Sequence, residues 1–272
     1  MVLYEPHTGF SGARSMAASP VVVMRRPERV EVALGELVAA IITRHDRSRA
    51  APARAIIMRM TDRTDLDRLT SRAQALAGTG SRRLLGICGA PGAGKSTLAE
   101  RLVTALGDRA VLVGMDGFHL SQRELRRLGR EQRKGAPDTF DAAGYVDLIR
   151  RLRRNGADQP DAETVYAPEF CREIEEPIAC AVPVAPEIPL VVTEGNYLLL
   201  PDHPWSALRA LLHEVWFLAP DESVRIARLV ERHRRYGRSD AEAHDRAYGS
   251  DQVNAVRIQA TADRADLVHR GA

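Results

Sequence analysis

Eight consecutive residues constrain this chain more than any other stretch. Gly89-Ala90-Pro91-Gly92-Ala93-Gly94-Lys95-Ser96 reads G-x-x-x-x-G-K-[ST], the pattern of a loop whose backbone amides wrap phosphate. The string needs a buried strand before it and a helix after it. Leu84, Leu85 and Ile87 supply the first, and Leu98, Leu102 and Leu106 fall on one face of the second. The spacing therefore predicts a strand over Arg83–Cys88, a glycine-rich turn and a helix. The N–H groups of Gly92 to Lys95 would then face a β-phosphate at the positive helix end, with Ser96 on Mg²⁺. Only two of the 39 basic residues are lysine, Lys95 and Lys134. A compact ammonium suits the space between phosphates, where a planar guanidinium would need different room. The expected ligand is a nucleoside triphosphate, held by Gly89, Ala90, Pro91, Gly92, Ala93, Gly94, Lys95, Ser96 and Thr97.

Further strands follow, with helices between them. Ala110–Gly114 reads as a strand delivering Asp116, Gly117, Phe118 and His119 at its carboxyl end. An apolar run from Ile188 does the same for Glu194, and Glu214–Leu218 and Asp266–His269 complete about five strands. Alternating strands and helices predict an α/β, doubly wound, mostly parallel five-stranded sheet with helices on both faces. Ligands of such sheets sit outside the carboxyl ends of the strands. That position suits Asp116 for orienting an acceptor hydroxyl and taking its proton, and Glu194 for the Mg²⁺ shell. Asp116 as a turn or cap residue, and His119 as a plain polar wall of the crevice, are equally open on spacing alone. Arg225, Arg228, Arg232 and Arg235 are spaced three, four and three, which puts them along one helical face. They read either as a solvated stripe or as a lid that closes over the triphosphate. Arg150, Arg151, Arg153 and Arg154 read as the wet side of the helix bearing Tyr145, Leu148, Ile149 and Leu152.

Composition narrows the classes. A 272-residue chain with 44% hydrophobic residues has material for one main core. The net charge of +3 comes from interleaved acids and bases, which argues against a nucleic-acid arm. Cys88, Cys171 and Cys180 form no C-x-x-C pair, so a reduced, cytoplasmic setting is expected, with no membrane span and no structural metal. Residues 1–60 read as an extension that is largely disordered or partly helical, disordered from Met1 to about Ser19, with a helix over Glu28–Thr43 and an arginine-alanine linker over Arg44–Arg54, before an organised domain from Thr61 to the end. Internal methionines at Met16, Met24, Met58 and Met60 allow a later translation start.

The ordered set GAPGAGKS, MDGFH, Lys134-Gly135-Ala136-Pro137-Asp138-Thr139-Phe140-Asp141, Val165-Tyr166-Ala167-Pro168, TEGNYLLL and the arginine helix resembles the phosphoribulokinase, uridine kinase and bacterial pantothenate kinase superfamily. The likeness spans roughly Thr61 to Arg270 and is nearest to its nucleoside/nucleotide kinase-like, fructose-transport-kinase-like branch. It implies a P-loop fold with a helical lid and ATP-dependent transfer to a hydroxyl of a nucleoside, sugar or pantothenate-like alcohol. By the same resemblance Asp116 is the base, Arg228 and Arg232 lie in the lid, and His119, Lys134, Asp138, Tyr166 and Arg172 belong to the acceptor side. Gly117-Phe118-His119 departs from the Ser-Phe-Tyr run of uridine kinases, and the chain after the lid is shorter than in pantothenate kinases. The acceptor is therefore open, as is a homodimer. A slowly hydrolysing regulatory NTPase is the alternative, though no N-K-x-D guanine-reading motif is present.

Overall fold

The computed structural model describes residues 51–271, with side chains from residue 64 onward. The helix expected over Glu28–Thr43 lies outside the described residues. Helix α1 (Ala51–Ala77) leads into β1 (Arg83–Gly89), the phosphate-binding loop, α2 (Lys95–Leu106) and β2 (Ala110–Gly114). The chain continues through α3 (Gln122–Arg127), α4 (Ala142–Arg154), β3 (Val165–Cys171), β4 (Glu176–Val184), β5 (Leu190–Gly195), α5 (Leu208–Leu211) and β6 (Glu214–Leu218). Helices α6 (Glu222–Arg235), α7 (Asp240–Tyr248) and α8 (Ser250–Gln259) precede the last strand, β7 (Leu267–His269). Helix α1 is already formed at Ala51, so the described end of the expected linker is helical and Thr61 falls inside a helix.

The five predicted strands form one parallel sheet in the order β2-β5-β1-β6-β7. From the central β1 the chain runs outward to β2 on one side, and from β6 to β7 on the other. The loop after β1 thus opens at the point where strand order reverses, the crevice such sheets use for ligands. Strands β1 and β5 are buried on both faces, as central parallel strands are, and read as near-continuous apolar runs. Leu84, Leu85 and Ile87 are fully buried, each contributing about 1.5–3 kcal/mol of burial.

Two layers cover the sheet. Leu69, Ala73 and Ala77 of α1 and Ala99, Leu102 and Leu106 of α2 pack on one face. Tyr145, Val146, Ile149 and Leu152 of α4, with Trp205 and Ile258, cover the other. Asp141 caps α4 by accepting from the Gly144 N–H at 2.9 Å. Arg153 is more than a solvated residue of α4, because it donates to the Ala210 and Leu211 carbonyls at the end of α5. Ile226, Leu229 and Val230 of α6 meet Ala243 and Ala247 of α7 in a small separate cluster, at the place of the expected lid.

The antiparallel hairpin β3–β4 has no counterpart in the sequence reading. Pro168, Pro177 and Pro183 interrupt it and β4 is mostly exposed, so no apolar alternation marks it.

His213 joins β6 to β1. Its N–H donates to the Leu84 carbonyl at 2.9 Å, and its Nδ1 accepts from the Leu84 N–H at 3.0 Å. Burial, then the charges of Arg153 and Arg83, push its pKa down from 6.5 to about 4. A depressed histidine is neutral in the folded protein, so stability is complete above pH 6.5 and falls as pH drops through that value towards 4. The ring is only partly buried, so the expected loss is on the order of 1 kcal/mol. Melting curves at pH 7 and pH 5 should show a smaller difference for His213→Asn, whose amide oxygen can replace Nδ1. An unchanged difference would remove His213 from the acid response.

Candidate active site

The loop after β1 is shaped to receive an anion. Gly94 precedes α2 in the left-handed region, φ 92°, and has no side chain to cap the helix, so the first-turn amides of α2 are left for a ligand. Gly92 also has a positive φ of 83°, and a Cβ there would lie 2.5 Å from the Arg225 carbonyl oxygen. Helix α6 therefore rests directly on the loop. Arg225 is 1% exposed and fixes this contact, donating to the Pro91 carbonyl at 2.8 Å and to both Glu222 oxygens at 2.7 and 2.6 Å.

A cavity of about 360 Å³ opens beside the loop. Its floor is Lys95, Ser96, Asp116, Glu194 and Asn196; the hairpin side brings Phe170, Arg172 and Glu175 with Lys134; the lid side brings Arg232, Arg238 and Arg246. Lys95 Nζ donates to the Ala90 carbonyl at 3.3 Å. Ser96 Oγ donates to Glu194 Oε1 at 3.1 Å, so the second strand-end acid meets the loop although 98 residues separate them. Arg172 Nη2 donates to Asp116 Oδ2 at 3.1 Å. Asp116 Oδ1 receives no hydrogen bond among the described residues. The hairpin reaches Asp116 because Gly117 lets it approach: a Cβ on Gly117 would sit 2.5 Å from the Pro168 carbonyl oxygen.

His119 is held between Phe140 and Phe170, with ring centroids 4.0 and 4.8 Å away. Its Nδ1 is 2.9 Å from the Asp116 carbonyl, an acceptor only, which assigns the proton to Nδ1. Lys134 Nζ donates to the Glu175 carbonyl at 2.6 Å and lies 5.1 Å from the centre of the Phe170 ring.

A model of the methylmalonyl Co-A mutase-associated GTPase MeaB family matches residues 53–116, from α1 to Asp116. A longer likeness runs to kinases. The chain is 34% identical over 218 residues to a Schizosaccharomyces pombe protein named as a candidate uridine kinase, covering 76% of this chain and 91% of that one. This chain belongs to the phosphoribulokinase, uridine kinase and bacterial pantothenate kinase superfamily of P-loop kinases. An ATP-dependent kinase-like protein of Aspergillus versicolor is 38% identical over 151 residues, 53% of this chain and 86% of its own. Among solved structures, a candidate fructose transport system kinase from Silicibacter sp. TM1040 is 36% identical, with a TM-score of 0.64 over 74% of this chain and 98% of that one. This P-loop kinase is thus an ATP-dependent phosphotransferase for a small molecule.

The charges of the kinase site are strongly interdependent. Burial opposes ionisation of Asp116, but His119, Arg172, Lys95 and Arg232 together outweigh it and hold the carboxyl below its ordinary range. Glu194 moves the other way, raised by burial and then by the negative charge of Asp116. Burial lowers the Lys95 pKa against the opposing pull of Glu194 and Asp116. Cys88, beneath the loop, is pushed up to about 11 by burial and is an inert thiol at neutral pH.

A Mg²⁺ ion fits the donors present. The Ser96 hydroxyl and the Glu194 carboxylate are adjacent hard oxygens at the mouth of the loop. No cluster of three or more His, Cys, Asp or Glu side chains suited to a metal occurs among the described residues. Mg²⁺ commonly takes one or two protein oxygens and completes its shell with phosphate and water.

The expected site residues divide among three places. Lys95, Ser96, Asp116, His119, Lys134, Arg172, Glu194 and Arg232 line the cavity. Thr97 and Arg228 line a second hollow of about 290 Å³ on the far side of the loop, with Ala93, Gly94, Arg101 and His269. Asp138 lies outside both, paired with Arg133 and Arg130, and Tyr166 is 56% exposed on β3. The arginine stripe of α6 is likewise split. Arg225 is buried under the loop, Arg228 faces the second hollow, Arg232 faces the cavity, and Arg235 is exposed. The sequence reading omitted Phe170, Asn196, Arg238 and Arg246. Asn196 follows Glu194 by two residues and could have been found from that spacing, whereas Phe170 depends on the unread hairpin.

No helix among the described residues is long and apolar enough to cross a membrane.

Proposed function

We propose that the protein transfers the γ-phosphoryl group of ATP to a hydroxyl of a small polar metabolite, with Asp116 as the base. One observation carries this reading. Asp116 has one oxygen tied to Arg172 and the other free of hydrogen bonds, 3.9 Å from His119 Nδ1, in the same cavity as Lys95 and Ser96. An acceptor hydroxyl on Oδ1 would face a phosphoryl group held by the loop amides and Lys95. Little covalent work falls to the protein in this chemistry, so orientation and charge supply most of the acceleration.

Ser96 and Glu194 would hold Mg²⁺, which when bound neutralises charge on the triphosphate. Arg232 adds a guanidinium on the side opposite Arg172. The nucleoside would occupy the second hollow, because Gly94 and Thr97 continue the phosphate-binding turn into it and Arg101 and Arg228 flank it. His119, wedged between two rings with Nδ1–H committed to backbone, would offer Nε2 as an acceptor to a second hydroxyl. A polyhydroxylated acceptor suits this polar lining better than a flat base does.

The testing experiment is ADP release from ATP and Mg²⁺ with and without pools of nucleosides, monosaccharides, sugar acids and vitamin alcohols. Many-fold stimulation by one pool, with a phosphorylated product by mass, supports the reading. The MeaB-like stretch over residues 53–116 favours a second one, a nucleotide-dependent switch with slow hydrolysis. ADP release that no pool changes would favour that switch.

A further inference from the structure

The cavity holds more cationic charge than its own acids neutralise. Each of its carboxylates is engaged: Asp116 with Arg172, Glu175 with Lys134, Glu131 with Arg126, Asp251 with His233, and Glu194 with the Ser96 hydroxyl. Among the described residues, Arg232, Arg238 and Arg246 line the same cavity and have no carboxylate within 4.0 Å. Three guanidinium groups facing one hollow repel each other unless an anion joins them.

Their positions separate one from the other two. Arg225 pins the start of α6 to Pro91 at the loop, and each residue of a helix advances about 1.5 Å. Arg232 lies two turns along, where its charge acts on both Lys95 and Asp116. It is placed for the phosphoryl group in transit. Arg238 follows the end of α6, roughly 15–20 Å along the lid from the Pro91 contact. Arg246 reaches the cavity from the last turn of α7, beside Asp251 and Asn254 of α8. Both enter the cavity beyond Arg232 on the lid side, from the end of α6 and from α7, whereas Lys95 and Ser96 enter from the loop.

Building on the kinase reading, we infer that Arg238 and Arg246 form a second anion site for the acceptor. The acceptor then carries, besides its reacting hydroxyl, a carboxylate or phosphate that the lid binds. Guanidinium groups suit either acid by paired N–H donors. The hydroxyl end would meet Asp116 and His119 while the acidic end draws the lid inward, so that acceptor binding helps to close the site.

The test uses the full chain loaded with Mg²⁺ and a non-hydrolysable ATP analogue, so that the loop is filled. Inorganic phosphate and, separately, acetate are titrated in by calorimetry. Saturable binding of either is expected, weakened about ten-fold or more by Arg238→Gln and by Arg246→Gln, with the analogue's own affinity nearly constant. A preference for phosphate would mark a phosphorylated acceptor, and a preference for acetate a carboxylic acid. Absence of anion binding to the loaded protein overturns the inference, as does a fall in analogue affinity in place of anion affinity, which would give both arginines to the triphosphate. Failure of the analogue itself to bind would defeat the kinase reading instead. Both positions are at least partly exposed, and melting curves of the two variants check that they remain folded.

Discussion

Asp116→Asn is expected to lower acceptor phosphorylation by about 10²- to 10⁴-fold, the range for loss of a positioned base, while ATP affinity stays within about two-fold. Asparagine keeps the shape and can still accept from Arg172, so the cavity wall is preserved. What is lost is an ionised oxygen, Oδ1, able to take a proton. With His119 neutral, Arg172, Lys95 and Arg232 still keep that oxygen ionised against the cost of burial, so the native side chain is ready as a base at neutral pH. Turnover by coupled ADP release and nucleotide binding by calorimetry check the two halves separately. Activity within about ten-fold of the native protein would leave Asp116 as an orienting residue only. Lost nucleotide affinity would assign it to the ATP side.

Gly92→Ala should damage both stability and nucleotide binding. A methyl group there meets the Arg225 carbonyl oxygen at 2.5 Å and the Leu229 Cβ at 3.2 Å, in a backbone with φ +83°. Neither neighbour can yield cheaply, because Arg225 is buried and tied to Pro91 and Glu222. Left-handed strain costs about 1–2 kcal/mol and overpacking a further 1–3 kcal/mol or so. A fall of roughly 5–15 °C in Tm follows for a domain of this size. ATP affinity should drop by about ten-fold or more, since relief of the clash must move either the phosphate loop or the lid. Gly107→Ala is the control, with φ +59° and nothing within 4 Å. It should carry the strain alone and bind ATP normally. Equal loss of binding in the two variants would mean that the loop-to-lid contact is not what matters.

The acceptor side of the site depends on contacts of very different reach. Lys134, Gly135 and Thr139 are close in sequence, and Thr139 Oγ1 accepts from the Gly135 N–H at 3.0 Å. Their placement against Asp116 needs a second strip, in which the Asp141 N–H donates to the Phe118 carbonyl at 2.8 Å and the Leu120 N–H to Thr139 at 2.9 Å. These bonds carry the Lys-Gly-Ala-Pro-Asp motif to the cavity while leaving Asp138 on the outside with Arg133.

The sequence by itself determined the phosphate loop, its flanking strand and helix, the five sheet strands and the two strand-end acids. Each of these is written locally, in a run of apolar residues or a helical repeat that buries one face, so the periodicity carries the information. Tertiary structure alone decided which charges meet. Arg172 reaches Asp116 across 56 residues through a hairpin with no apolar pattern. The even arginine stripe of α6 resolves into an anchor under the loop, a residue of the second hollow and a residue of the cavity, because the helix crosses the loop at Gly92. One face of a helix can be read from spacing. What that face rests against is set by close packing with distant parts of the chain, and spacing does not contain it.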